Sequence, residues 1–299
     1  MAEAPLSRFL PEDFDPSQPV AVIAGQREYP LLVVEAIRAA GVPVRLIALQ
    51  GETREDLFES FPESERARIK VGQIGHMLKA LKRLEARYAM FVGQVSPGKL
   101  FRDLTPDLKA LALLASLKER NAHTIFGAIS REIQDIGVVM LDARAFLDHQ
   151  LSTEGLMTRG KLKARPEHIE FGIRMAKEVA RLDIGQGVVV RKGTVLAVEA
   201  FEGTDDMLSR ANKYKTDQLI FVKCAKHDQN PHFDWPVFGE KTLQSMQASG
   251  ISTAALEVDQ VLMLHKDNLL EKARKLGIEL FGFSPDKNPF DGLPGNSPS

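Results

Sequence analysis

A single cysteine, Cys224, in 299 residues leaves no partner for a disulfide within the chain and excludes a cysteine-rich zinc site. A reducing compartment, the cytoplasm, is the expected setting, and Cys224 inside "LIFVKCAK" reads as a packing residue. Charge of one sign is also missing. With 39 basic against 40 acidic residues, the net charge of −1 offers no field for a polyanion, so nucleic acid is not an expected partner. No run approaches the ~20 apolar residues of a membrane-spanning helix. The start, "MAEAPLSRFLPEDFDPSQP", has neither the basic end nor the apolar centre of a secretory leader. Four catalytic signatures are absent as well: a complete G-x-G-x-x-G, a G-x-S-x-G elbow, a Walker P-loop and H-E-x-x-H.

What is present is an ordinary soluble composition, 44% apolar and 26% charged, at a length that suits two domains. Up to about residue 150, short apolar runs alternate with helical patterns. "VAVIAG" (20–25), "VRLIAL" (44–49), strand 89–92 and "VVML" (138–141) read as buried strands. Between them lie helical stretches over 29–41, 76–86, 106–120 (with Thr105 as cap and Pro106 opening it) and 123–137. Such alternation predicts a Rossmann-like parallel sheet over residues 18–150, preceded by an irregular arm at 1–17. The pattern dissolves at 143–167 and resumes with a helix at 167–181 and a hairpin turning at Lys192-Gly193. Further helices and strands follow to 283, predicting a mixed α/β domain over 151–285 and a frayed tail at 286–299.

Two polar stretches draw attention. "AVEAFEGTDDML" (197–208) sets Glu199, Glu202, Asp205 and Asp206 where a strand hands over to a helix. Thr204 as helix cap and the two aspartates on the helix dipole explain part of it. Glu199 and Glu202 precede the helix and are left over. Strand alternation puts Ala197, Glu199 and Phe201 on one face, where a carboxylate needs a cation, metal or donor. The second stretch, "VKCAKHDQNPHFDWPVFG" (222–239), brings Lys223 and Lys226 after a strand and holds Asp234 beside a stiff Trp235-Pro236. Lysines with a carboxylate suit an anionic substrate. His227 and His232 match no zinc spacing. In the first half, three Gly-Gln turns, at Gly25-Gln26, Gln73–Gly75 and Gly93-Gln94, lie at strand ends where open α/β sheets receive ligands.

Taken together, "IAGQREYP", "GQIGHMLKALK", "LTPDLKALALLASL", "LDIGQGVVVRKGTVLAVEAFEGTDDMLSRA" and "FDWPVFGEKTL" resemble, in order and spacing, the LpxI family of UDP-2,3-diacylglucosamine pyrophosphatases of lipid A biosynthesis. The similarity runs from about 20 to 284. It implies a lipid substrate held between the domains and Mg²⁺-dependent hydrolysis to UMP and 2,3-diacylglucosamine 1-phosphate (lipid X). It also implies that water attacks the sugar-side phosphorus. By this resemblance Asp234 in Asp234-Trp235-Pro236 is the essential aspartate, acting as base or metal ligand. Glu199, Glu202 and Asp205 would gather Mg²⁺, and Lys223 and Lys226 would neutralise phosphate. Gly203 and Thr204, with Gly25, Gln26, Gln73, Gly75, Gly93 and Gln94, would contact the substrate. A homodimer and a transient or peripheral stay at the membrane surface follow from the family and from the greasy substrate alone.

The chain departs from the family pattern at Arg27, Asn230 and His232; the last cannot make arginine's two-pronged phosphate contact. A non-catalytic nucleotide-sugar or lipid-binding module is the alternative those departures support. An NAD(P)-dependent oxidoreductase is disfavoured by the incomplete glycine pattern.

Overall fold

The computed structural model describes residues 6–95, 106–119, 122–158, 160–214, 217–226, 229–233 and 235–287. The chain divides into two compact units: residues 1–148 with 230–234, and residues 149–229 with 235–299.

The first unit holds a five-stranded, all-parallel sheet: β1 (Val20–Ala24), β2 (Val44–Leu49), β3 (Arg66–Ile69), β4 (Tyr88–Val92) and β5 (Val139–Met140), in the order β3-β2-β1-β4-β5. Helices α1 (Tyr29–Ala39), α2 (Glu55–Glu59), α3 (Ile74–Arg83), α4 (Leu108–Ser116) and α5 (Ala122–Asp135) belong to this unit. All five β1 residues are buried, which is why its sequence is an unbroken apolar run rather than an alternating one. The order reverses direction between β1 and β4, the position at whose carboxyl ends open α/β sheets receive ligands.

The edge strand β3, "RARI", escapes sequence reading because its alternating arginines look polar. Arg66 and Arg68 lay their guanidinium groups over the Phe58 ring, 4.3 and 3.9 Å from its centroid, covering the edge. Helix α4 starts two residues later than Pro106, at Leu108. Asp107 is its cap, accepting from the Ala110 N–H at 2.9 Å, while Thr105 lies outside the described residues.

The second unit carries a mixed six-stranded sheet built from β6 (Gly155–Leu156), β7 (Gly187–Arg191), β8 (Thr194–Val198), β9 (Leu219–Lys223), β11 (Ile251–Glu257) and β13 (Glu279–Phe283). Its order is β6-β13-β11-β9-β7-β8. A two-stranded pair joins β10 (Val237–Phe238) to β12 (Leu262–Met263). Strands β9, β11 and β13 run parallel; β7 runs against both β8 and β9. The ends of β8, β9 and β11 therefore share one edge of the sheet with the start of β7. The predicted hairpin turn is present, with Lys192 and Gly193 at φ 47° and 79°, as a two-residue primed turn requires.

Each face of this sheet has its own core. Leu219 and Phe221 pack with α7 (Thr204–Asn212), α8 (Glu240–Ala248) and α9 (Lys266–Lys275). Ile220, Val222 and Cys224 pack with α6 (Pro166–Arg181). Cys224 is fully buried and its thiol is pushed up to about 12, first by burial and then by the nearby Glu257 carboxylate. It is a packing residue, as its strand context suggests.

Candidate active site

Strand alternation places Lys223 on the same face as Leu219 and Phe221, so the last residue of β9 is an ammonium entering an apolar layer. It is only 4% exposed. A buried ammonium needs a partner, and two groups supply it. Lys223 Nζ donates to Thr204 Oγ1 at 2.8 Å and lies 3.4 Å from Glu199 Oε2, while Thr204 Oγ1 donates to Glu199 Oε1 at 2.6 Å. Glu199, Thr204 and Lys223 thus close a three-membered ring at the shared sheet edge.

Glu199 follows β8 and Lys223 ends β9, strands separated by β7, and what lets them meet is a missing side chain. Gly187 pairs with Lys223 in the sheet, and its carbonyl accepts the Glu199 N–H at 2.8 Å. A Cβ at Gly187 would fall 2.6 Å from Glu199 Oε2 and 3.0 Å from Phe221. A Cβ at Gly185 would fall 2.0 Å from the Glu199 carbonyl oxygen. These two glycines of "DIGQG" therefore do different jobs. Gly185→Ala forces backbone apart and is expected to cost at least about 3 kcal/mol of stability, read from denaturant unfolding. Gly187→Ala meets no backbone, only the movable end of Glu199 and the edge of the Phe221 ring. It should cost no more than about 1–2 kcal/mol, yet reduce activity about 10- to 100-fold by breaking the ring.

The other acidic residues do not join this ring. Glu202 pairs with Arg210, and its own backbone N–H is the main cause holding its carboxyl below the usual range, with Arg210 adding to the effect. Asp205 pairs with Lys241 at 2.7 Å and accepts from Ser245 at 3.4 Å. Among the described residues no three His, Cys, Asp or Glu side chains gather as a metal site. As they stand, then, Glu199, Glu202 and Asp205 are each answered by a separate cation and do not form a Mg²⁺ cradle.

Two local expectations fail for identifiable reasons. Thr204 is the first residue of α7 rather than its cap. Gly203 holds the cap position with φ 81°, freeing the Thr204 hydroxyl for Glu199 and Lys223. Phe201 does not share a buried face with Ala197, because β8 ends at Val198 and the chain turns out, leaving Phe201 89% exposed.

Lys226 binds Asp183 at 2.7 Å. Glu257, absent from any sequence expectation, is buried at the end of β11. Its carboxylate takes Lys177 Nζ at 2.8 and 3.1 Å and the Ala225 N–H at 2.9 Å. The only hint of it in the sequence is one acid closing the apolar run "ISTAALE".

In the first unit the Gly25-Gln26 and Gly93-Gln94 turns do come together, at the reversal point between β1 and β4. The Gly25 N–H donates to the Val92 carbonyl and the Gln26 N–H to the Gln94 carbonyl, both at 2.7 Å. A Cβ on Gly25 would lie 2.3 Å from the Gln94 oxygen, and one on Gly93 2.8 Å from the Gln26 oxygen. Both glycines are required by that close approach. The third turn stands apart, since β3 is two strands from β1, about 10 Å away. There Gln73 Oε1 accepts the Lys70 N–H at 3.0 Å. Asp107 Oδ2 caps the start of α3 through the His76 N–H at 3.3 Å and would sit 3.1 Å from a Cβ on Gly75. Burial would raise the Asp107 carboxyl, but donation from Ala110, His76 and Gly75 outweighs it and holds it below the usual range. This helix start already carries an anion from its own chain.

Residues 230–233 belong to the first unit. The Ala143 N–H donates to the Pro231 carbonyl at 2.8 Å, His232 Nδ1 lies 3.2 Å from the Leu141 carbonyl, and Phe233 packs on Phe126 with ring centroids 5.4 Å apart. Asp234 lies outside the described residues, as do His227 and Asp228.

Comparison with known proteins now adds to this geometry. Residues 19–150 match the model of the LpxI N-terminal domain, and residues 153–281 match that of the LpxI C-terminal domain. The chain is also 28% identical over 284 residues to the UDP-2,3-diacylglucosamine pyrophosphatase LpxI of Caulobacter vibrioides, an alignment spanning 90% of this chain and 99% of the relative. With both domains matched in order and nearly end to end, the chain belongs to the LpxI family.

Proposed function

We propose that this chain hydrolyses the pyrophosphate bond of UDP-2,3-diacylglucosamine, releasing UMP and 2,3-diacylglucosamine 1-phosphate. The observation that carries the reading is the match of both domains, in order, to a family whose relative bears that name. The ring at the sheet edge supports it chemically. An ammonium offers three N–H donors, and two of those on Lys223 are engaged by Thr204 and Glu199. The remaining donor and the positive charge suit a phosphoryl oxygen that gains charge in the transition state. In the proposed step water adds to the sugar-side phosphorus, the bond from that phosphorus to the bridging oxygen breaks, and UMP leaves with that oxygen. Asp234 accepts the proton of the attacking water, and Lys223 and Lys226 balance the phosphate charge. Gly25-Gln26 and Gly93-Gln94 suit the nucleotide, lying at the carboxyl ends of neighbouring strands.

A magnesium requirement is a separate clause of the proposal, supported by family likeness. Glu199, Glu202 and Asp205 do not assemble a site for the ion, so no step is assigned to it. Among the described residues no helix is long and apolar enough to cross a membrane; the two acyl chains of the substrate are the reason to propose a transient membrane encounter.

The test is UMP release from UDP-2,3-diacylglucosamine in Mg²⁺, with and without a chelator. UMP that appears and then stops on chelation is the expected result. Release that ignores the chelator removes only the metal clause. A lipid-dependent rise in melting temperature with no UMP would favour the non-catalytic module.

A further inference from the structure

The segment Asp183-Ile184-Gly185-Gln186-Gly187, which runs from the end of α6 into β7, holds the chain leaving β9 at Cys224, Lys226 and Gln229. The Cys224 N–H donates to the Gln186 carbonyl at 3.0 Å. The next N–H, of Ala225, donates to Glu257 Oε2 at 2.9 Å. The third, of Lys226, donates to Gln229 Oε1 at 3.3 Å, and Gln186 Nε2 donates to that same oxygen at 3.0 Å. Asp183 then takes the Lys226 ammonium at 2.7 Å. Three consecutive backbone donors are thereby satisfied by groups distant in sequence or by a side chain that Gln186 itself holds. A simple helix-to-strand connection needs none of this. The residue so held by both its N–H and its ammonium is Lys226, one of the two lysines proposed to balance the phosphate charge.

We propose that Gln186 is a positioning residue for the hydrolysis: its side-chain amide, donating to Gln229, holds the segment after β9 that carries Lys226. The inference rests on the functional reading above. The amide orientations follow from the network, because the Gln229 oxygen already receives the Lys226 N–H and must be an acceptor. Gln186 is therefore needed as a donor and Gln229 as an acceptor, and this asymmetry makes the proposal testable. Glutamate at 229 keeps an acceptor; glutamate at 186 loses the donor and sets a charge against the Gln229 oxygen.

In the full-length chain, Gln186→Ala, Gln186→Glu and Gln229→Ala should each lower kcat about 10- to 100-fold with KM changed by less than about threefold, the pattern of misplacement rather than lost binding. Gln229→Glu should stay within about threefold of the unmodified kcat. The Gln186→Ala/Gln229→Ala double variant should be no worse than Gln229→Ala alone, since that single variant already removes the acceptor to which Gln186 donates. Amide exchange across 224–233 should quicken in Gln186→Ala. Turnover by Gln186→Ala within about twofold of the unmodified chain, equal losses from Gln229→Glu and Gln229→Ala, or unchanged exchange would each overturn the proposal. Should the unmodified chain yield no UMP, the functional reading fails and the role in hydrolysis fails with it. The exchange measurement then decides whether the latch itself exists.

Discussion

Lys223→Met should reduce UMP release about 10²- to 10³-fold and lower stability by about 3–5 kcal/mol. Both effects come from one geometry. Methionine keeps the length of the side chain and its packing near Phe221 but removes the charge that answers Glu199. With its cation gone, Glu199 is left as a carboxylate hemmed in by Gly185, Gly187 and Thr204. Breaking a buried pair from one side is much more costly than removing both partners. The double variant Lys223→Met/Glu199→Gln should therefore regain most of the lost stability without regaining turnover. Recovery of both would make Lys223 a purely structural residue and remove it from the proposed chemistry. Unfolding in urea and UMP release, measured on the same preparations, separate the two outcomes.

Asp234→Ala should reduce kcat by about 10³-fold or more, the scale of a lost general base, while UDP-2,3-diacylglucosamine still raises the melting temperature. The reasoning is differential: a group that handles the attacking water is needed in the transition state and hardly at all for binding. Asp234→Asn sharpens the test, because the amide keeps the size and accepts a hydrogen bond but cannot take a proton at neutral pH. Turnover near the unmodified rate in either variant would remove Asp234 from the mechanism. Loss of binding together with turnover would instead make it a substrate anchor.

Much of the fold could be read locally. The apolar runs at 20–24 and 44–49, the amphipathic helix 204–212 and the Lys192-Gly193 turn each depend on residues a few positions apart, and each is present. Pieces whose identity comes from a neighbour were missed. Strand β3 is polar in sequence because Phe58 shelters its arginines. Strands β6 and β10 have two residues each, too short for any periodicity to show. Helix α4 starts at Leu108 because Asp107 serves two helix starts at once, a tie to His76 that lies 31 positions away in the chain.

The candidate site divides the same way. Its residue types were legible: the carboxylates after β8, the lysines after β9, and glycines at strand ends, in an order that resembles one family. Their pairing was not. Glu199 reaches Lys223 across 24 positions only because β8 and β9 flank β7 and Gly187 leaves a gap between them. Glu202 and Asp205, neighbours in sequence, turn to Arg210 and Lys241 instead. Residues 230–233 follow the strands of the second unit yet pack with Leu141, Ala143 and Phe126 of the first. Periodicity and turn chemistry act over one or two turns of chain, so the sequence by itself determined the elements and the kinds of chemistry they carry. Which charges neutralise one another is an energy of through-space distance and burial, and only the tertiary structure decided it.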